Sequence, residues 1–130
     1  MTKMQRLICP LVQEQILRRF STLKPFEKRL IQHVAFIQRN GYISENFGVN
    51  LSFETFKKIN AIPIADDMAR TLLIKTLESL LFSRGYYTTT QRLTIEYTFL
   101  SGYKIMSDGS ALIYLDPFLS QVLLNHKQDT

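Results

Sequence analysis

The stretch SFETFKKINAIPIADDMARTLLIKTLESLLFSR, Ser52 to Arg84, decides how this chain folds. Its first part predicts a short helix from Ser52 to about Ile59, because Ser52 is a good N-cap and Phe53, Phe56 and Ile59 share an apolar face. Asn60 favours a turn and Pro63 keeps the helix from running on, so Ala61 to Ala65 reads as a turn. Met68, Leu72, Leu73, Thr76, Leu77, Leu80 and Leu81 then recur at three- and four-residue steps, which predicts a long amphipathic helix from Asp66 to about Arg84. Asp66 or Asp67 caps its start, and Arg84-Gly85 places a cation and a C′ glycine at its end.

Downstream the period changes from helical to alternating. Tyr86 to Arg92, with Thr88-Thr89-Thr90, reads as a polar link and candidate wing tip, its threonines being first a β signal. Leu93, Ile95, Tyr97 and Phe99 alternate with Thr94, Glu96 and Thr98 as a half-buried strand, which Ser101-Gly102 breaks. Tyr103 to Met106 and Ala111 to Leu115 flank Ser107-Asp108-Gly109-Ser110 as a hairpin. Asp116 as N-cap and Pro117 at the first helical position open a last short helix, with residues after Asn125 as a tail.

Upstream, Pro10 opens a helix through Phe20 with Leu11, Val12, Ile16 and Leu17 on its stripe; Met1 to Cys9 is a lead-in. Pro25 opens a second helix, with Glu27 in its first turn and Phe26, Leu30, Ile31, Val34 and Ile37 facing inward, that ends at Asn40-Gly41. Gly48 to Leu51 is a short strand leading into the Ser52 cap. The whole is an α+β chain with the element order of a winged helix-turn-helix: N-terminal helices, a small antiparallel sheet with a wing, and a short C-terminal helix.

The 130 residues make one domain, large enough for a core without disulfide or metal staples. The single Cys9 forms no internal disulfide, which suits a reducing, cytoplasmic setting, and no apolar run reaches the roughly 20 residues of a membrane span. No Cys/His spacing suits a metal, and no glycine-rich phosphate loop or nucleophile-base pair is visible. Cys9, His33 and His126 lie in segments with no reason to converge, so neither enzyme nor cofactor is expected. The net charge of +5 suggests an anionic partner. Its distribution is uneven: residues 1–41 hold eight Lys/Arg and two Glu, +6, whereas residues 42–130 hold eight Lys/Arg and nine acids, −1.

Three segments carry a family resemblance. Leu23-Lys24-Pro25-Phe26-Glu27-Lys28-Arg29-Leu30-Ile31, Val49-Asn50-Leu51-Ser52-Phe53-Glu54-Thr55-Phe56 and Asp108-Gly109-Ser110-Ala111-Leu112-Ile113-Tyr114-Leu115-Asp116-Pro117-Phe118-Leu119 are similar to the helix opening, helix-turn-helix entry and final hairpin and helix of one family. That family is the N-terminal winged-helix domain of the initiators that start theta replication of iteron-bearing plasmids, and the likeness spans about residues 10–125. The resemblance implies a pair of tandem winged helices in the full initiator. The first dimerises and touches the DNA backbone, and the second reads the iteron bases. The 130 residues have room for one of these.

On that reading the partners are double-stranded DNA, a second copy of the chain and other replication proteins. The phosphate contacts fall to Arg18, Arg19, Lys57, Lys58, Arg70, Lys75 and Arg92. For Arg18 and Arg19 the plainer alternative is charge complementarity at a helix C-terminus. Two other readings stay open: a stand-alone transcription regulator reading bases through Arg70, Thr71, Gln91 and Arg92, and a protein-interaction module without DNA.

Overall fold

The computed structural model describes residues 9–40 and 48–128, with side chains as far as Leu124. In chain order the elements are α1 (Pro10–Ser21), α2 (Pro25–Arg39), β1 (Gly48–Leu51), α3 (Phe53–Asn60), α4 (Asp66–Phe82), β2 (Arg84–Thr88), β3 (Thr94–Thr98), β4 (Leu100–Ile105), β5 (Ala111–Leu115) and α5 (Pro117–Gln128). The expected end of α2 at Asn40-Gly41 is met at its C-cap, Asn40, and Gly41 lies outside the described residues.

Local chemistry sets most boundaries. Prolines stand in the first turn of α1 and α2, where a missing N–H costs nothing. The Ser52 hydroxyl accepts from the Thr55 N–H at 3.1 Å to start α3, and the Asp116 carboxylate accepts from the Phe118 N–H at 2.9 Å to start α5. Ala61, in the left-handed region at φ 51°, ends α3, while Asn60 stays inside the helix with its side chain donating to the Phe56 carbonyl. The turn thus begins one residue later than Asn60 suggests. α5 runs on to Gln128, past the Asn125 end read from the sequence.

Two antiparallel sheets follow. β5 pairs with β1 on one side and β4 on the other, giving the order β1-β5-β4, while β2 and β3 form a separate two-stranded ribbon. Val49, Leu51, Ala111, Ile113 and Leu115 point from the three-stranded sheet into the core, where they meet Leu30, Ile31 and Val34 of α2, Phe56 of α3, and Leu73, Leu77 and Leu80 of α4. The β4–β5 turn closes on Asp108, whose carboxylate accepts from the Ser110 N–H at 2.9 Å and hydroxyl at 2.7 Å. Those bonds hold the Asp108 carboxyl below its usual pKa. Gly109 supplies the φ of +89° that the turn requires.

Six sequence expectations are corrected. α4 stops at Phe82, and Arg84-Gly85 is the start of β2 rather than a helix cap. Gly85 pairs with Tyr97, and a Cβ there would sit 2.5 Å from the Tyr97 ring, so this glycine serves close packing. The N-cap of α4 is Ala65, with Asp66 and Asp67 one step inside, where they still complement the dipole. The buried face of α4 is phased on Ala69, Leu73, Thr76, Leu77 and Leu80, leaving Met68 61% exposed. Tyr86 to Thr88 belong to β2 instead of a link, and Leu93 and Ile95 are exposed because no element among the described residues covers the outer half of the ribbon. Ser101-Gly102 does not break β4, which absorbs them in a bulge between Leu100 and Gly102.

Tyr97 packs edge-on to Phe99 at 5.4 Å and beside Tyr87 at 5.8 Å, and its buried hydroxyl has no hydrogen-bond partner among the described residues. Burial pushes this phenol up to about 12, against the pull of the Arg19 charge. The folded protein therefore holds the proton more tightly than the unfolded chain, whose tyrosines titrate at about 10. Stability conferred by the neutral phenol is intact below pH 10 and is lost as pH rises from there through about 12. In urea titrations across this window the wild type should lose stability more steeply than Tyr97→Phe. Parallel curves would show that the phenol is not the responsible group.

Candidate nucleic-acid interface

Helices α3 and α4 and the turn between them form the helix-turn-helix. Phe56 is wholly buried and meets Phe26 of α2 at 6.2 Å between ring centroids, which fixes α3 on the core. α4 is fixed by its leucines and by Glu27 of α2. The buried Glu27 carboxylate accepts from the Lys24 N–H at 2.9 Å and the Ser79 hydroxyl at 2.6 Å. A residue expected only to favour a helix start thus also bolts α2 to α4.

The outward face of α4 carries Asp67, Met68, Arg70, Thr71, Lys75 and Glu78, all exposed. With Asp66, its ionisable groups number three acids and two bases, so the helix presents separate cations instead of a basic stripe. The Thr71 hydroxyl donates to the Asp67 carbonyl at 3.1 Å. Arg70 lies with its guanidinium carbon 4.4 Å from the centroid of the Phe53 ring, a cation–π contact worth about 0.5–1 kcal/mol at an exposed site. The same guanidinium borders Gly109 in the β4–β5 turn, whose added Cβ would lie 3.5 Å from Nε.

The structure separates the seven sequence candidates into two groups. Arg18 pairs with Glu14 at 3.1 Å in the open. Arg19 is committed inward: it donates to the Arg84 carbonyl at 3.0 Å, to the Thr22 hydroxyl at 2.6 Å and to the Ser83 hydroxyl. Lys57 pairs with Asp66 at 3.1 Å across the helix-turn-helix turn. The side chains of Lys58, Arg70, Lys75 and Arg92 make no ion pair or hydrogen bond among the described residues.

Lys58, Arg70 and Lys75 share the helix-turn-helix. Arg92 does not join them: it stands in the ribbon's turn, at φ 66°, and the ribbon is fastened to α1. There the Gln15 side chain accepts from the Thr88 N–H at 2.9 Å and donates to the Thr88 carbonyl at 3.0 Å. Gln91 stands in the same turn, exposed. Lys104, exposed on β4 ahead of the Asp108 turn, was passed over in the sequence; its alternation with Tyr103 was the signal available.

Burial lowers the pKa of His33, which favours its neutral form on α2. Among the described residues no group of three His, Cys, Asp or Glu is placed to hold a metal, and no helix is long and apolar enough to cross a membrane.

The chain was compared with known proteins. No family model matches it, and no curated protein does. Among solved structures, it resembles the X-ray crystal structure of the WH1 domain of MSBI1.176, a replication protein isolated from a multiple sclerosis patient. The TM-score is 0.69 at 17% sequence identity, covering 92% of this chain and 95% of that one. The fold is that of a winged-helix domain.

Proposed function

We propose that this chain is the DNA-binding, dimerising winged-helix domain of a plasmid-type replication initiator, touching mainly the phosphate backbone of duplex DNA in the cytoplasm. The observation that carries the reading is the trio Lys58, Arg70 and Lys75, three cations without acid partners on the exposed side of a helix-turn-helix. Its counterpart of similar fold belongs to a replication protein, which favours replication over other uses of the fold.

Dimerisation has its own support. Phe82, Tyr86, Leu93 and Ile95 are 76%, 57%, 56% and 37% exposed around a ribbon whose β3 edge pairs with no further strand among the described residues, whereas its β2 edge is engaged by Gln15 and Arg19 of α1. Apolar side chains beside one free strand edge suit a second copy of the same ribbon. The same surface favours a second reading, a protein-interaction module that leaves DNA alone, and the near-neutral α4 agrees with it.

One experiment separates them. Light scattering gives the oligomeric state, and duplex binding across a salt series gives the charge contacts. Three contacts predict a slope of log K against log salt near −2.7, and four, with Arg92 or Lys104 added, near −3.6. A dimer with no measurable duplex affinity at low salt would replace the first reading with the second.

A further inference from the structure

Phosphate contact does not account for the way Arg70 is held. Lys58 and Lys75 extend into solvent, as point-charge contacts to a flexible backbone require. Arg70 instead sits with its guanidinium carbon 4.4 Å from the Phe53 ring centroid and beside Gly109, and its side chain makes no hydrogen bond among the described residues. Its fork thus rests against an aromatic ring while its N–H donors remain open. It is the fifth residue of α4, in the first half of the helix that sends side chains to base edges in helix-turn-helix complexes.

A guanidinium matches the O6 and N7 acceptors of guanine with two parallel hydrogen bonds, a geometry that an ammonium cannot copy. Holding the fork in place before binding removes the cost of ordering a long side chain. We infer that Arg70 reads a guanine in the major groove, and that Phe53 and Gly109 are positioning residues that set its plane. This rests on the DNA-binding reading above and adds to it: one site of base discrimination on an otherwise backbone-contacting surface.

Gly109 contributes through its backbone: the turn holds it at φ +89°, which glycine adopts without strain, and there it borders the guanidinium, with room for an ordinary contact at 3.5 Å from Nε to an added Cβ. The acids Asp66 and Asp67 precede Arg70 on the same helix, but Asp66 is taken by Lys57 and neither pairs with Arg70. The fork is thus not neutralised before DNA arrives.

The test begins with selection from a random duplex library by the wild-type chain, followed by titration of a selected duplex in which single guanines are replaced by 7-deazaguanine, which lacks the N7 acceptor. One such replacement should weaken wild-type binding about 5- to 150-fold. Arg70→Lys should bind bulk duplex with an unchanged salt slope yet show no loss at that replacement. Phe53→Leu should reduce the discrimination, and Phe53→Tyr, which restores the ring, should recover it.

If the wild type binds duplex with the expected salt slope but selects no guanine, or if Arg70→Lys keeps the 7-deazaguanine penalty, this inference is wrong and backbone binding stands. If the wild type binds no duplex at all, both fall together.

Discussion

Phe56→Ala loses about 3–5 kcal/mol of folding stability, most of what a domain of this size has to lose. The ring is 0% exposed at the centre of the helix-turn-helix, against Phe26 and the core leucines of α4. Alanine there leaves both an unfilled volume and the lost transfer of an aromatic ring. α3 is only eight residues long, so helix propensity alone cannot hold it once its main anchor is gone. The midpoint of thermal unfolding should drop on the order of 10–20 °C. Denaturant titration reads the same loss directly, with an unchanged m-value expected for simple destabilisation. A loss near 1 kcal/mol would mean that α3 collapses into the gap, and the rigid seat it gives Phe53 and Arg70 would be a wrong picture.

The second large effect is Arg19→Ala, expected to cost about 2–3 kcal/mol, given roughly 1.5–3 kcal/mol for a hydrogen bond to a charged group at a partly exposed site. Arg19 spans from α1 to the junction of α4 and β2, bonding the Arg84 carbonyl and the Ser83 and Thr22 hydroxyls. Its removal leaves that junction with unpaired acceptors. Arg18→Ala, one residue away, removes only an open pair with Glu14 and should change stability by less than about 0.5 kcal/mol. Neither substitution should alter the salt slope of DNA binding. A slope reduced by about 0.9 in Arg19→Ala with stability intact would return that residue to the phosphate contacts.

The two arginines show what a sequence does and does not display. Caps and turns are local, so Ser52, Asp116-Pro117 and Asp108-Gly109 could be read directly, and with them the element order and the winged-helix class. Partners are not local. Two of the three acceptors of Arg19 lie 64 and 65 residues on, and the acid that occupies Lys57 sits beyond a turn. Nothing in the spacing told these cations from Lys58 and Lys75.

The same limit explains α4 and the ribbon. Periodicity located the helix, but whether Met68 or Ala69 faced inward depended on the room left by other elements. Alternation located a strand at Leu93 to Phe99, yet burial of alternate residues requires a covering layer, and among the described residues the outer ribbon has none. Arg84-Gly85 satisfied a helix-end pattern while the space beneath the Tyr97 ring decided the outcome.

Gln38 of α2 donates to the Leu115 carbonyl at 2.8 Å and accepts from the Ser120 hydroxyl, deep beneath α5. This polar stitch makes the last helix part of the same cooperative body as the second. Any shortened form cut after the final strand would strand a buried amide and strip the lid of Leu119, Val122 and Leu123 from the interior. Functional fragments of this chain must therefore extend well past residue 116, however remote that end lies from the helix proposed to meet DNA.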